Sequence, residues 1–541
     1  MSTPAPRPEM GRTGWRSTAR DGLLSGLTAA LAMTLIIVLL RTLTGIPTIA
    51  ELIGDRLIPT LSLDLFFRLL DLFGGGNEFK RFGIGSVFVG QLVVGMLIGA
   101  AYALYIERTS AHQPVRVSRG IYSRRGWLLA VLVPLLVWLV TLVLLRPLLG
   151  TNYRGLPQDR ATYATIVGLG CSYLTYGLVL AWTYRSLTLE RSSTGPEPVG
   201  RVIGRRTVVV GGAAAALASG GLLVRLYQRS SLHYDGLKYQ GPDVEAITPN
   251  DRFYAVTKNI LDPDVDSNSW RLDVTGQVER PHTYDLPALL ALPASTQETT
   301  LSCISNSVGN GLVSNAVWKG FPLRDLIETA GPRPGVVEVA LHGVDNYIDT
   351  ISLEKALDPT TFVAYQMNDA PLPRRHGYPV RILVPGRFGE KSVKWVTRIA
   401  LADAEHDVKG FYERQGWGPT FVTQTLSRID VPATGQVLQA SAAEPLLMKG
   451  IAFAGDRGIA RVEVSTDAGQ TWQAATLDYP GMRLTWSLWS YLWMPDTPGD
   501  YELMVRAVDG SGAVQTAEER PITPDGATGH HRIGVRVVAG P

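Results

Sequence analysis

Five apolar runs, near residues 21–44, 83–106, 127–149, 161–184 and 207–226, dominate the first part of the chain, and each reaches or approaches the ~20 residues a helix needs to cross a hydrocarbon core. The pattern predicts five transmembrane helices within residues 1–230. A further Leu- and Phe-rich stretch, Glu51 to Gly75, is broken by Asp55, Arg56, Asp64, Arg68 and Asp71 about once per helical turn. That spacing predicts an interfacial or re-entrant amphipathic helix instead of a sixth span.

From about Tyr239 the pattern changes to short alternating segments separated by Pro and Gly turns. Trp270 to Val278, Val336 to Leu341 and Val380 to Val384 read as strands and Leu286 to Leu292 as a short helix, predicting a mixed α+β domain with long ordered loops over residues 240–428. A second module, 429–541, begins near Ile429 and offers strands at Leu446 to Ala454, Ile459 to Ser465, Trp472 to Thr476, Ser487 to Trp493, Tyr501 to Val508 and His531 to Val538. About seven short strands in ~110 residues predict an immunoglobulin-like sandwich.

Composition agrees with this division. The chain has 541 residues, 45% of them hydrophobic, and a mean hydropathy of +0.09. The excess is concentrated before residue 230. A formal charge of +3 gives no electrostatic reason to expect nucleic-acid binding. Basic residues collect before the first span (Arg7, Arg12, Arg16, Arg20), after the second (Arg108, Arg116, Arg119, Arg124, Arg125) and after the fourth (Arg185, Arg191, Arg201, Arg205, Arg206). Short basic loops stay in the cytoplasm, so five crossings would place the N-terminus inside and everything after residue 230 outside the cytoplasmic membrane of a bacterium. Gly204-Arg205-Arg206, followed by an Ala- and Gly-rich apolar stretch, resembles an internal twin-arginine export signal, although paired arginines also satisfy the positive-inside rule.

None of the eight histidines, His112, His233, His282, His342, His376, His406, His530 and His531, falls in a span, so the apolar part offers no pair of axial haem ligands. Of the two cysteines, Cys171 lies in an apolar run, which leaves Cys303 as a lone thiol. Such a thiol is an inert core residue, a nucleophile or a soft metal ligand.

The neighbours of Cys303 favour the metal. Asn250-Asp251-Arg252-Phe253-Tyr254, Cys303-Ile304-Ser305-Asn306, Trp318-Lys319-Gly320-Phe321-Pro322-Leu323, His376-Gly377-Tyr378-Pro379-Val380-Arg381, Val384-Pro385-Gly386 and Lys391-Ser392-Val393-Lys394-Trp395 together resemble the cofactor-binding domain of the sulfite oxidase family of molybdenum enzymes. Val462-Glu463-Val464-Ser465 and Asp467-Ala468-Gly469-Gln470-Thr471-Trp472 resemble that family's C-terminal module, often a dimerisation domain. The resemblance spans roughly residues 240–541. It implies a polytopic α-helical membrane domain followed by an α+β molybdopterin-binding, sulfite oxidase-like domain and an immunoglobulin-like β-sandwich through which a homodimer could form.

The resemblance further implies a molybdenum-molybdopterin cofactor with Cys303 as the thiolate on the metal, His376 and Arg381 on the pterin phosphate, and Lys391, Ser392 and Lys394 closing over the polyanion. Asn250, Arg252, Tyr254, Lys258 and Asn306 are further expected contacts. The implied activity is oxygen-atom transfer on a small sulfur- or nitrogen-oxide-type substrate outside the membrane, with cycling between Mo(VI) and Mo(IV). A separate redox carrier, a cytochrome or quinone-linked protein, is expected because the chain has neither an Fe–S cysteine cluster nor haem ligation.

Where family sulfite oxidases follow Cys-x-x-Asn with basic residues, this chain has Ser307 and Val308. A site without those cations suits sulfite less well. The family's periplasmic methionine sulfoxide reductase subunit, exported without a fused haem domain, suggests the alternative of S-oxide or N-oxide reduction. A metal-free, membrane-tethered binding module is the non-enzymatic alternative. Arg414, Trp417 and Tyr412 could line a substrate funnel or serve as interface packing.

Overall fold

The computed structural model describes residues 12–110, 118–192, 205–228, 236–259, 261–405, 408–440 and 444–540. Among the basic and histidine positions read above, Arg7, Arg116, Arg201, His112, His233 and His406 lie outside the described residues, as does Gly204 of the paired-arginine motif. The chain divides into two compact units, residues 1–58 with 66–230 and residues 59–65 with 231–541.

Among the described residues of the first unit, four helices, Trp15–Thr44, Gly76–Thr109, Arg125–Leu144 and Gln158–Thr188, are long and apolar enough to cross a membrane. A fifth helix, Arg205–Gln228, lies where the fifth span is expected, and the part of it whose side chains are described carries a shorter apolar stretch, Val210–Arg225. The first helix packs closely on the second of these four through small residues. A Cβ at Gly26 would collide with the Gly95 carbonyl, and one at Gly99 with that of Gly22. The two Gly-x-x-x-Gly pairs therefore let the backbones meet, a packing suited to helices that gain little from apolar burial. Tyr176 Oη adds a hydrogen bond to Gly95 O at 2.7 Å.

The expected single amphipathic helix over Glu51 to Gly75 is instead two, Ile49–Leu57 and Leu63–Phe73. Pro59, which lacks an N–H, falls between them. Thr48 and Glu51 form a capping box at the start of the first. Glu51 also accepts Arg41 Nε at 3.0 Å, and the guanidinium lies 3.8 Å from the centre of the Tyr153 ring. Both ends of this ion pair are buried and paired, as burial of charge requires.

The described residues of the second unit form four sheets. One is ordered His282–Tyr284, Leu272–Gly276, Val396–Asp403, Val336–Gly343, Ile348–Ser352, with Leu272–Gly276 and Val396–Asp403 parallel. Another runs Ser295–Ser302, Val313–Pro322, Phe362–Met367, Ala370–Pro371, and Arg381–Leu383 also pairs with Phe362–Met367. Trp270, Leu341, Ile399, Phe321 and Ile382 join these two sheets in one apolar core. The helix Leu323–Ala330 buries Leu323, Leu326, Ile327 and Ala330 on that core, and Gly331 ends it in a left-handed conformation.

The remaining two sheets form a β-sandwich. Leu426–Val431, Leu446–Phe453, Ser487–Trp493 and Thr476–Tyr479 face Val437–Ala440, His531–Ala539, Gly499–Asp509, Ile459–Ser465 and Gln473–Ala474. The first of these strands begins at Leu426, ahead of the expected start at Ile429. The expected strand Trp472 to Thr476 is a crossover: Gln473–Ala474 belongs to one sheet and Thr476–Tyr479 to the other. Side chains of both sheets, Met448, Trp489, Val464 and Val505 among them, fill the space between.

Trp489 is fully buried there and donates Nε1 to Ile451 O at 3.2 Å. Trp489→Ala would leave a large cavity and is expected to destabilise the sandwich by about 3–5 kcal/mol, read as a lowered thermal transition in calorimetry. An unshifted transition would mean that the core does not rest on this ring.

Candidate functional site

Cys303 follows the strand Ser295–Ser302 and opens a short loop that the chain closes on itself. Its N–H donates to Leu312 O at 3.0 Å, Asn306 N donates to Cys303 O at 3.0 Å, and Leu312 N donates to Asn306 Oδ1 at 2.9 Å. Asn306 thus staples the loop and does not line the cleft described next. The far end of the loop is fastened to the sandwich, where the buried Arg428 donates to Asn310 O at 2.9 Å and pairs with Asp430 at 2.7 Å.

Cys303 is 5% exposed and belongs to an apolar cluster with Phe253, Tyr254, Leu301 and Leu312. It also lines a cleft of about 720 Å³, part of it open to solvent. Tyr254, Lys258, His376, Arg381, Ser392 and Lys394 line the same cleft, so six of the other ten expected residues converge on Cys303. Burial and the Glu390 carboxyl push the thiol up to about 11, against the lowering effect of Ser305, whose Oγ lies 3.0 Å from Sγ.

His376 Nε2 lies 3.0 Å from Asn250 O. A carbonyl only accepts, so Nε2 carries the proton and Nδ1 is left as an acceptor in the neutral ring. Burial, with Arg381 and Lys394 nearby, holds His376 well below its ordinary value. Arg381 is buried over the Trp318 ring and donates to His376 O at 3.1 Å and Ser392 O at 3.4 Å. Its Nε has no hydrogen-bond partner. Burial brings it down to about 10, still protonated at neutral pH. A buried guanidinium that meets carbonyls, with its Nε–H unspent, is a costly arrangement that an anion would relieve. A pterin phosphate fits that demand, and the soft Cys303 sulfur fits molybdenum.

Four expected contacts lie elsewhere. Asn250 is tied to Met367 O at 3.1 Å and to Asn368 at 2.9 Å, and Arg252 is exposed. Neither these nor Asn306 lines the cleft. Lys391 is the clearest correction. All three of its ammonium donors are spent on the protein, on Asp349 Oδ1 at 2.6 Å, Glu413 Oε1 at 2.8 Å and Thr350 O at 3.1 Å. Burial alone would lower this lysine, but Asp349 and Glu413 hold it above its ordinary value. Ser307 and Val308 likewise line a small separate pocket with Arg428.

Sequence reasoning missed Glu390, Asp345 and Tyr347, which line the cleft, and left Tyr412 open between funnel and interface. Tyr412 lines it, whereas Arg414 is exposed and Trp417 packs on Tyr412 at 5.7 Å between ring centres. The only signal for Glu390 was an acidic residue inside an otherwise glycine-rich, basic loop. Burial and Asp349 raise it to about 8, against the lowering effect of the backbone N–H groups of Glu390 itself and Ile304, and no side chain bonds to either carboxyl oxygen.

Two family models match the second unit: the oxidoreductase molybdopterin binding domain at residues 259–411 and the Mo-co oxidoreductase dimerisation domain at residues 420–536. They define the class as molybdopterin-binding oxidoreductase domains. Sulfite oxidase of Gallus gallus is 33% identical over 320 residues, covering 51% of this chain and 69% of the chicken protein. Mitochondrial sulfite oxidase of Drosophila melanogaster is 31% identical over 343 residues, covering 54% of this chain and 59% of its own. The chain therefore belongs to the sulfite oxidase family, whose cofactor is molybdenum-molybdopterin. It spans about six-tenths of the length of the curated relatives it matches. The sulfane dehydrogenase SoxCD structure from Paracoccus pantotrophus is similar at 24% identity with a TM-score of 0.44, covering 51% of this chain and 75% of that one.

Proposed function

We propose that this protein is a membrane-anchored, molybdenum-dependent oxidoreductase acting by oxygen-atom transfer on a small sulfur- or nitrogen-oxide-type substrate. The observation that carries the reading is the cleft, in which a buried lone thiol meets an anion-demanding Arg381 and His376. When bound, the molybdenum centre supplies the oxygen-atom transfer and the two-electron change. In this reading Cys303 ligates the metal, Arg381, His376, Lys394 and Ser392 hold the phosphate end, and Tyr254 and Lys258 lie along the wall between. Gly389 matters to the wall because a Cβ there would collide with the Tyr254 hydroxyl.

Four apolar helices support a membrane anchor. Placing the catalytic unit outside the membrane requires Arg205–Gln228 to cross as a fifth span, which the basic residues around it favour. Export through the paired arginines, domains at 240–428 and 429–541, and an immunoglobulin-like sandwich that pairs two copies all belong to this proposal. A separate cytochrome or quinone-linked carrier would exchange the electrons.

Metal and pterin analysis of the matured full-length protein in detergent tests the reading. About one molybdenum and one pterin per chain are expected, and their absence would defeat it. Turnover of sulfite with an artificial acceptor, set against turnover of sulfoxides with reduced viologen, fixes the direction.

A further inference from the structure

The Cys303 end of the cleft is built from phenols and carboxyls. Glu390 lines it with both carboxyl oxygens shielded from solvent, and no side chain bonds to either; only backbone N–H groups, its own and that of Ile304, act on them. Its charge acts on Cys303, Tyr254, Tyr347 and Tyr412. Three cations nearby make hydrogen bonds to other groups, and Arg381 keeps its Nε–H for an anion. Lys391, next in sequence, spends its donors on Asp349, Glu413 and Thr350. Arg381 donates to His376 O and Ser392 O, and Lys394 to Val256 O at 3.2 Å and Arg375 O at 3.1 Å. A buried carboxyl in a reaction cleft that meets backbone N–H groups but no cation or other side chain points to a ligand contact.

We propose that Glu390 is a specificity-determining residue that reserves the Cys303 end of the cleft for neutral or cationic oxygen-bearing substrates, S-oxides and N-oxides, and disfavours dianions such as sulfite. The inference rests on the reading of Cys303 as the reacting end. It does not depend on the protonation state of Glu390. An ionised carboxylate repels an anion, and a protonated one donates a single hydrogen bond to an S–O or N–O oxygen. In neither state does it supply the positive charge that offsets desolvation of a dianion.

The test is equilibrium binding by calorimetry to the full-length, cofactor-loaded enzyme in its oxidised state, where neither probe turns over. Dimethyl sulfoxide and inorganic sulfate are the probes. The wild type is expected to bind dimethyl sulfoxide about tenfold more tightly than sulfate. Glu390→Gln, which keeps a donor, should hold dimethyl sulfoxide affinity within about threefold, whereas Glu390→Ala should weaken it about fivefold. Glu390→Arg should tighten sulfate about tenfold or more.

Tighter binding of sulfate than of dimethyl sulfoxide by the wild type would overturn the proposal. So would an Arg variant that leaves both affinities unchanged, because position 390 would then not face the ligand. Loss of pterin from the Gln variant would also overturn it, assigning Glu390 to the cofactor. Wild-type protein without molybdenum defeats the underlying reading, whereas a loaded enzyme with the wrong preference defeats only the role of Glu390.

Discussion

Cys303→Ser is expected to lower turnover about 10³-fold, or ~4 kcal/mol of transition-state stabilisation at 1.36 kcal/mol per decade, while the fold persists. The substitution exchanges one soft donor atom for a hard one and changes little else. The loop that presents residue 303 is closed by its own backbone and by Asn306, not by the thiol. The side chain fills a small place among Phe253, Leu301 and Leu312 that a hydroxyl also fits. Turnover with an artificial electron carrier should collapse, while circular dichroism and the thermal transition stay near wild type. A Ser variant of full activity would remove the thiol from the chemistry and leave it a core residue.

The second large effect belongs behind the cleft. Lys391→Met is expected to cost about 3–5 kcal/mol, because it strands the fully buried Asp349 carboxylate without its cation. For a unit of this size that corresponds to a fall of roughly 6–20 °C in the thermal transition. Burial already raises the Asp349 carboxyl, against the lowering pull of Lys391. Tyr347 Oη lies 2.9 Å from both Asp349 Oδ2 and Glu390 O, so its one proton is shared between these two acceptors. The loss should therefore reach the cleft and weaken cofactor retention as well as stability. The double variant Asp349→Leu with Lys391→Met should recover part of the loss, since no unpaired charge then stays buried. Equal stability of the single and double variants would show that the pair is not coupled.

Much of this architecture could be read from periodicity. Ile459–Ser465 and Ser487–Trp493 have the bounds that alternation predicts, because one face of each strand meets the sandwich core and the other meets solvent. Where packing competes with pattern, reading failed. Trp472 to Thr476 looks like one strand, yet the chain changes sheet at Ala475, whose N–H donates to Val462 O at 2.9 Å. Glu51, which opens the stretch read as one amphipathic helix, turns inward to Arg41.

The same contrast holds at the site. Lys391 and Lys394 sit three residues apart in one basic loop and read alike. One is buried in an ion-pair cluster, and the other reaches the cleft wall over the Trp395 ring at 4.4 Å. Spacing along a chain does not distinguish them, because the carboxylates that capture Lys391 come from Asp349 and Glu413, far away in sequence.

By itself the sequence determined the elements with strong periodicity, the apolar first part, and the motif set that marks Cys303, His376 and Arg381. These are local properties, set by the order of side chains and by chemistry that few residue types can perform. The tertiary structure alone decided which charges are paired and which are left to meet a ligand. Charge pairing is a matter of three-dimensional neighbours and burial, so Arg381 Nε and Glu390 became visible as buried groups without a side-chain partner only when distant segments were brought around one cleft.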